Sequence, residues 1–371
     1  MDILEQSKPY LKNRREILFV YSVRDANPNG DPLAENRPRY DENTGLNYVS
    51  PDRLKRTIRD QLAEFGENIF VKPVMENGMV LDRTTMAQKY GFNLEDIERK
   101  CIDVRLFGVL LAVDKERAEE EGEEEVDDET YLEFDEGYDE EAQGLFNDFK
   151  KNKEQEKQKK DLEKKRREKE RRSSVILARS RTGPVQFNWG RSLHRVVPTL
   201  IKGTTVFASK PGLTQGTITE RYILPYSLIA FHGVVNENAA KFTGLTGTDV
   251  NKMLKAMWIG TKAGGDILTY SKTEHIPRLL VEIVYKKGTY LHIGELDALV
   301  RVKLNGVARD EEIRDISQVV LDLTEFKDVL ERYKEKISYV LYAINPRLIT
   351  VPRIEEVFSS VRAFEVDFEK L

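Results

Sequence analysis

Apolar and polar positions along the chain follow two periods, one typical of strands and one typical of helices. Residues 16–23 (EILFVYSV) are apolar at almost every position, which is typical of a strand covered on both faces. Residues 51–64 carry an apolar stripe at helical spacing, and Ser50 and Pro51 supply an N-cap and a first helical residue. The stripe consists of Leu54, Ile58 and Leu62. A buried strand followed by an amphipathic helix is therefore predicted.

The rest of the pattern continues this alternation of strands and helices. Helices are predicted over 93–112, 247–260 and 324–337, the last capped by Thr324. Strands are predicted over 183–197, 204–209, 219–235 and 338–345. A hairpin is predicted from residues 278–287 and 289–296, turning at Gly288. The order of elements predicts an α+β fold with a mostly antiparallel sheet, similar to an elaborated ferredoxin-like unit.

Charge is distributed unevenly, and this changes the meaning of the net charge of −5. Residues 114–143 hold 17 acidic and 2 basic side chains, and residues 144–172 hold 7 acidic and 13 basic ones. The remaining chain has 44 basic and 40 acidic residues. A mildly basic body is compatible with a nucleic-acid partner. The charged segment itself is predicted to be a solvated excursion, and contact of its basic half with DNA is the alternative.

Composition excludes several classes of protein. No run of 18 apolar residues is present, so a membrane-spanning helix is not expected, and the N-terminus does not resemble a secretory signal. The single cysteine, Cys101, excludes an intramolecular disulfide and is predicted to be a buried thiol in a helix. A cytoplasmic location is expected, with no membrane partner.

The sequence offers no pattern typical of a cofactor or metal site. Its four histidines have no short mutual spacing, so they are interpreted as separate structural or surface residues, and no metal site is predicted. The histidines are His194, His232, His275 and His292. No phosphate-binding or dinucleotide fingerprint is found, and no cofactor is expected.

Two groups of polar residues are candidates for anion binding. Asn27, Asn29 and Gly30 lie in a loop after the first strand and either form a tight turn or cradle a phosphate or ribose. The first turns of the 51–64 helix are basic, with no acidic residue between positions 53 and 59. This basic group is either a solvated face or an anion site at a helix N-terminus. Its members are Arg53, Lys55, Arg56 and Arg59.

Five motifs in a fixed order resemble a known family. They are EILFVYSVRDANPNGDP (16–32), SPDRLKRTIRD (50–60), DVRLFG (103–108), GPVQFNWGRSLH (183–194) and TYSKTEHIPRLL (269–280). Together they are similar to the backbone subunit of the CRISPR Cascade surveillance complex, subtype I-B, a member of the repeat-associated RNA-binding superfamily. The resemblance covers nearly the whole chain and is weakest in the charged segment.

The resemblance implies a modified ferredoxin-like, RRM-like palm with an antiparallel sheet. A discontinuous palm is then expected over 14–65, 176–200 and 226–345. Around it are expected a helical finger insertion over 66–113, a charged insertion over 114–175, a β-hairpin thumb over 200–225 and a C-terminal extension over 346–371.

The resemblance also implies a noncatalytic subunit that polymerises along guide RNA and presents spacer segments for pairing with target DNA. The implied partners are guide RNA, target DNA through the guide, further copies of the chain, other Cascade subunits and a recruited helicase-nuclease. Contacts to RNA are expected from Asn27, Asn29, Gly30, Ser50, Arg53, Lys55, Arg56, Arg59, Arg105, Gln186, Arg191, Ser271 and Lys272. The thumb contacts are expected from Phe207, Lys210, Leu213 and Gln215.

Several alternatives remain open at the level of sequence. Arg105 either anchors the palm or binds RNA, and burial of Phe19 and Tyr21 is favoured over stacking on bases. A nuclease of the same superfamily is the second candidate function. An RNA-processing nuclease usually needs a histidine as general base, which the separate histidines disfavour, whereas an RNA-cleaving nuclease would have Asp25 or Asp31 as its candidate carboxylate. A scaffold without nucleic acid is the third.

Overall fold

The computed structural model describes residues 10–76, 79–81, 83–91, 93–114, 176–204, 218–263 and 273–370. The strands are β1 (Arg15–Ala26), β2 (Gly30–Asp31), β3 (Arg37–Pro38), β4 (Tyr40–Asp41), β5 (Leu46–Val49), β6 (Met75–Glu76), β7 (Met79–Val80), β8 (Gly108–Asp114), β9 (Ile176–Thr182), β10 (Val185–Phe187), β11 (Gly190–Ser192), β12 (Thr199–Thr204), β13 (Ile218–Val235), β14 (His275–Tyr285), β15 (Arg301–Leu304), β16 (Val319–Asp322), β17 (Ile337–Ile344), β18 (Ile349–Val351) and β19 (Ala363–Glu365). The helices are α1 (Pro51–Glu64), α2 (Arg83–Tyr90), α3 (Leu94–Lys100), α4 (Ile102–Phe107), α5 (Glu237–Thr243), α6 (Gly247–Ala263), α7 (Thr324–Tyr333) and α8 (Ile354–Val357).

The chain divides into two compact units. The larger comprises Met1–Lys72, Glu98–Gly108 and Thr182–Leu371, and the smaller comprises Pro73–Ile97 and Val109–Arg181. Within the smaller unit lie α2, most of α3 and two small sheets, β6 with β7 and β8 with β9. All the polar clusters described below belong to the larger unit.

One large mixed sheet organises the larger unit, which is therefore of the mixed α/β class. Its strand order is β19-β17-β14-β1-β13-β11-β5-β4, with β10 and β12 also paired to β13. β1 pairs antiparallel with both β13 and β14, while β17 and β19 are parallel. A second sheet of β15, β16 and β18 lies in the same unit. The strand predicted over 16–23 is confirmed and is central in the large sheet.

Side chains of β1 enter two different cores, as the apolar run predicts. Ile17, Phe19 and Tyr21 pack in the core that also contains the buried stripe of α1. Leu18 and Val20 pack on the other face with residues of β14 and α7. Burial of Phe19 and Tyr21 is confirmed, since the two rings stack on one another at 5.7 Å between centroids and are closed off from solvent.

The helix predicted over 51–64 is confirmed with the same bounds, and it packs closely on α6. Ser50 Oγ accepts a hydrogen bond from Arg53 N at 3.2 Å, which is the predicted N-cap. A Cβ at Gly260 of α6 would lie 2.8 Å from Gln61 Cβ and 3.1 Å from the Thr57 carbonyl oxygen of α1. Glycine at position 260 thus allows the two helices to approach.

The helix predicted over 93–112 forms as two helices, α3 and α4, and is wrong at the break between them and from Gly108 onward. Cys101 is extended between α3 and α4, although its thiol is buried as expected. Gly108 then takes φ 75°, which ends α4, and the chain continues as β8. The pattern missed these breaks because the apolar residues on both sides of them fit a helical period as well as a strand.

The hairpin predicted across Gly288 is half wrong, because β14 forms but residues 289–296 do not form a strand. β14 is already flanked by β1 and β17, and the amides of Ile293 and Gly294 donate to the Glu16 carboxylate instead. The predicted cap of α7 also differs, since Asp322 Oδ1 accepts from Thr324 N at 2.9 Å.

β12 and β13 pair antiparallel from Thr199 with Ile223 to Thr204 with Ile218. The intervening residues 205–217, which hold the tip of the expected thumb, lie outside the described residues. The same is true of 115–175, nearly all of the charged insertion. Among the helices that the structure describes, none is long and apolar enough to cross a membrane.

Candidate nucleic-acid interface

The loop that follows β1 is fixed to the start of α1 by asparagine side chains. Asn29 Oδ1 accepts a hydrogen bond from Ser50 N at 2.7 Å. Asn27 Nδ2 donates to the Asn36 carbonyl oxygen at 2.7 Å, and a Cβ at Gly30 would lie 1.9 Å from Asn36 Oδ1. These contacts are turn chemistry, one of the two roles that the sequence allows for this loop. They hold the loop beside the N-terminus of α1 and leave RNA contact as a prediction.

Arg53 extends from the first turn of α1 toward the end of β1. It lines a small cavity with Tyr21, Pro28 and His275. Its Nη1 donates to Thr57 Oγ1 at 3.0 Å, and among the described residues no carboxylate lies within ion-pair distance of it. Burial lowers the pKa of this guanidinium, yet arginine keeps its charge at neutral pH. Arg53 is therefore a half-buried cation without a matching anion.

The other basic residues of α1 have partners of different kinds. Lys55 Nζ lies 3.5 Å from Gln186 Oε1, and burial lowers the pKa of its ammonium group. Arg56 Nε donates to Asp60 Oδ1 at 2.6 Å on the exposed face. Lys55 and Arg56 are accordingly within reach of solvent, as a role in binding an anion requires.

Arg59 forms part of a buried cluster around Asp103. Its Nε donates to Asp103 Oδ2 at 3.1 Å, and that carboxylate also accepts from the backbone amides of Phe70 and Val71. The Asp103 side chain is fully buried. This pairing joins α1 to α4 and gives Arg59 a structural role beside the RNA contact predicted for it.

Arg105 uses four hydrogen bonds for internal contacts. It forms a bidentate pair with Asp249 at 2.8 and 3.2 Å and donates to the carbonyl oxygens of Glu98 and Arg99. These contacts fit a role for Arg105 in anchoring the palm, which is one of the two roles considered from the sequence; the other is RNA binding.

Gln186 and Arg191 lie on short strands beside β13. Gln186 Nε2 donates to the Gly183 carbonyl oxygen at 2.9 Å. Arg191 is exposed, and its guanidinium lies 5.7 Å from the centre of the Tyr48 ring, its cross-strand neighbour. Within the described part of the chain, Arg191 has no carboxylate partner.

A cationic cleft of about 240 Å³ lies at the other face of the end of β1. Four of the residues lining it are basic and two are acidic. They are Arg24, Lys262, Arg278, Arg347, Glu274 and Asp315. Backbone hydrogen bonding from Ser317 and the adjacent Arg347 lower the pKa of Asp315 to about 2 against the effect of burial, so this carboxylate is ionised at neutral pH.

Arg278 differs from the other basic residues of the cleft. Its Nε donates to Ser22 Oγ at 2.8 Å and its Nη1 to Asn345 Oδ1 at 3.1 Å, both neutral acceptors. It is 5% exposed, burial lowers the pKa of its guanidinium, and no described carboxylate pairs with it. By contrast, Arg24 pairs with Glu274 and Arg347 with Asp315. Arg278 was not among the predicted site residues: it lies within the TYSKTEHIPRLL motif, where its apolar neighbours predict only a buried strand.

Two residues predicted to contact RNA and four predicted for the thumb lie outside the described residues. They are Ser271, Lys272, Phe207, Lys210, Leu213 and Gln215. The segment that holds Ser271 and Lys272 is bounded by Ala263 and Thr273, next to Lys262 and Glu274 of the cleft.

The candidate carboxylates of a nuclease have other roles within the described structure. Asp31 Oδ1 accepts from Leu33 N, and Asp31 Oδ2 pairs with Arg39 at 3.2 Å. Asp25 is exposed at φ 48° near the end of β1, between Arg24 and Ala26, which both pair with β13. Neither lies in a cluster of carboxylates able to hold a metal ion among the residues described.

The prediction of four separate histidines is wrong for two of them. His232 and His292 lie with their ring centroids 5.7 Å apart, next to Glu16. Spacing along the chain could not reveal this cluster, because its members come from β1, β13 and the segment after β14. His194 is structural, as expected: burial lowers its pKa, and its Nε2 accepts from Leu228 N.

Comparison with known proteins identifies relatives of this chain. The family model described as CRISPR-associated protein Cas7 matches residues 13–166 and 168–324. A curated CRISPR-associated protein Cas7 of Haloferax volcanii is 31% identical over 342 residues, which cover 88% of this chain and 85% of that protein.

Two solved structures also match. One is titled CRISPR RNA-guided surveillance complex, with 12% identity, a TM-score of 0.47 and 96% of each chain covered. The other is titled CRISPR RNA-guided surveillance complex, pre-nicking, with 11% identity, a TM-score of 0.48 and coverage of 96% of this chain and 97% of that one. The family model and the curated relative alone carry the assignment.

Proposed function

Because this chain belongs to the CRISPR-associated protein Cas7 family, we propose that it is a noncatalytic subunit that binds guide RNA through the sugar-phosphate backbone. A single observation carries the location of the site. Arg53 and Arg278 lie at the two faces of the end of β1. Arg278 is buried and Arg53 is half-buried, and neither has a carboxylate partner among the described residues. This end of the sheet is the proposed RNA interface.

Phosphate is the partner that these two arginines lack. A buried cation is costly unless an anion and hydrogen bonds compensate it. The planar guanidinium offers paired N–H donors that match phosphate oxygens, and such charge-assisted bonds are about twice as strong as neutral ones. Within the described residues, the guanidinium groups of Arg53 and Arg278 donate hydrogen bonds only to neutral acceptors. A phosphate bound at this end of the sheet would supply the missing charge.

Contacts of this kind suit a protein that must accept any guide sequence. Phosphate and ribose contacts fix the position of a strand but carry no base identity. The amides of Asn27 and Asn29 suit ribose hydroxyl groups, which distinguish RNA from DNA. The half-buried Lys55 and the exposed Arg56 and Arg191 are further cations of the larger unit that could contact the RNA backbone. Base pairing, rather than the protein, then reads the target DNA.

The assembly that follows from this role is a row of subunits on one guide. A chain that repeats head to tail uses two different surfaces, so its contacts are heterologous and the array stays open. The hairpin of β12 and β13 is the proposed thumb that reaches over the RNA. Other Cascade subunits and the helicase-nuclease are the proposed partners of the completed array.

The test is the affinity of purified Arg53→Gln for guide RNAs that carry different spacer sequences. Removal of one phosphate contact should weaken binding about tenfold or more, by the same factor for every spacer. The slope of log affinity against log salt should become shallower by about 0.7. Fluorescence anisotropy over a range of salt concentrations measures both quantities.

Arg301→Gln is the matched control, because Arg301 is an exposed arginine of β15 that pairs with Glu325. It removes the same charge and should leave affinity and salt slope nearly unchanged. Equal losses in both variants would reduce the effect to overall charge and contradict the proposed site. A loss restricted to some spacers would contradict backbone recognition.

A further inference from the structure

A carboxylate and two imidazoles meet where β1 and β13 adjoin the segment that follows β14. Glu16 is fully buried, and its Oε1 lies 3.3 Å from His292 Nε2 and 3.6 Å from His232 Nε2. One potential ligand atom from each residue lies within 4.8 Å of the others. Glu16 and His232 belong to paired strands, and His292 belongs to a segment without regular structure.

The two separations from the carboxylate match those of ligands around one tetrahedral ion. Bonds from zinc to nitrogen or carboxylate oxygen of 2.0–2.2 Å place neighbouring ligand atoms about 3.3–3.6 Å apart. Hydrogen bonds between the same groups would be shorter, at about 2.7–3.2 Å. The distances from the Glu16 carboxylate oxygen to the two imidazole nitrogens are therefore those expected for ligands of one shared metal ion.

His232 supplies an independent observation that points to a ligand. It is 8% exposed, and both of its ring nitrogens are buried without a hydrogen-bond partner among the described residues. A buried polar atom left unpaired is costly and rare in folded proteins. Its Nε2 is the nitrogen nearest Glu16, and coordination of a cation would satisfy that atom.

The carboxylate is already oriented by donors around it. The Tyr285 hydroxyl and Ile293 N donate to Glu16 Oε2, and Gly294 N donates to Oε1 at 2.7 Å. Hydrogen bonds of this kind hold ligands of metal ions in position. Oε1 accepts only one of these bonds, so it keeps a further lone pair that can bind a cation.

We propose that Glu16, His232 and His292 bind a divalent transition-metal ion, Zn²⁺ in the first place. Two imidazoles and one carboxylate suit zinc, whereas Mg²⁺ prefers oxygen ligands alone. His292 is half exposed, so water completes the coordination from the solvent side. The ion joins two central strands to the segment after β14 and has a structural role there, independent of the proposed RNA site.

The test is titration of Zn²⁺ into the full chain, purified without a histidine tag and stripped of metal with a chelator. Calorimetry should give one equivalent of tightly bound Zn²⁺ per chain, and an excess of Mg²⁺ should not displace it. His292→Ala should lower the affinity by more than about tenfold. Because His292 is half exposed, this variant is expected to fold, which circular dichroism checks.

Glu295→Gln is the matched control, since it removes an exposed carboxylate three residues from His292 that is not one of the three proposed ligands. It should keep the single tight site. Co²⁺ should give the visible spectrum of a low-symmetry site in the native chain and in Glu295→Gln but not in His292→Ala. No bound Zn²⁺ in the native chain, or equal affinity in His292→Ala, would overturn the proposal.

Discussion

Buried arginines in this protein serve two different purposes. One set is paired with buried carboxylates and holds elements together: Arg15 with Glu282, Arg59 with Asp103 and Arg105 with Asp249. Arg278, which is buried, and Arg53, which is half-buried, donate only to neutral acceptors among the described residues. Pairing, rather than burial, separates the structural arginines from those proposed to bind RNA.

The structural set makes a prediction for Asp103→Asn. This change leaves the Arg59 guanidinium without its buried counter-charge and weakens the acceptor for the amides of Phe70 and Val71. Breaking a buried pair from one side costs about 3–5 kcal/mol. We expect the free energy of unfolding to fall by about 3 kcal/mol, measured by chemical denaturation.

Asp60→Asn is the control for this prediction, because Asp60 pairs with the exposed guanidinium of Arg56 on the same helix. Pairs of this exposed kind contribute at most about 1 kcal/mol. If both variants lost the same small amount of stability, the Asp103 cluster would not be the buried anchor described above.

At the level of single residues, the sequence could predict apolar burial but not polar partnership. Leu54, Ile58 and Leu62 follow a local period, so their burial was predictable and is confirmed. Arg278 has apolar neighbours in the sequence. Whether a carboxylate lies near its guanidinium depends on residues far away along the chain, which local sequence does not reveal. The Glu16 cluster joins residues more than 200 positions apart, which no local spacing encodes.

Elements were predictable where local signals agreed with tertiary packing. For α1, the cap, the proline at the first turn and the apolar stripe all indicate one helix, and its bounds match. For residues 289–296, the alternating pattern indicates a strand, yet both edges of β14 were already occupied. The backbone amides of Ile293 and Gly294 donate hydrogen bonds to Glu16 instead. Tertiary context therefore overrides the local pattern.

Packing of α1 on α6 gives a prediction at the element scale. In Gly260→Ala, the added methyl group overlaps Gln61 Cβ at 2.8 Å and the Thr57 carbonyl oxygen at 3.1 Å. Overpacking of this kind costs about 1–3 kcal/mol, which exceeds the gain of up to about 1 kcal/mol in helix propensity. We expect the thermal midpoint to fall and RNA affinity to weaken, because α1 carries Arg53.

Gly247→Ala makes the same chemical change at the start of α6, where the new Cβ would have an ordinary contact of 3.4 Å with Arg15 Nη2. We expect this variant to be neutral or slightly more stable. Thermal unfolding of the two variants side by side checks the opposite signs. A destabilised Gly247→Ala with a neutral Gly260→Ala would contradict the close approach of the helices.

Over the whole chain, net charge conceals the character of the folded body. The acidic run between residues 114 and 143 outweighs the small basic excess of the rest. Binding of RNA therefore depends on where cations lie rather than on their total number. The cleft at the end of β1 holds four basic residues, and under the proposed function an RNA strand there would be bound in the same way by every copy in an array.

Assembly of such an array makes the last prediction. Because Thr204 and Ile218 are paired at the end of the β12–β13 ladder, residues 205–217 can be replaced by Asn-Gly, a two-residue turn that suits a hairpin. The variant should keep the thermal midpoint of the native chain and bind a short RNA of one subunit length. It should fail to form extended arrays on a full guide, as measured by analytical ultracentrifugation and electron microscopy, because the proposed thumb is missing. Normal arrays from this variant would place the contact between subunits elsewhere, whereas loss of short-RNA binding would show that the hairpin tip is itself part of the RNA site.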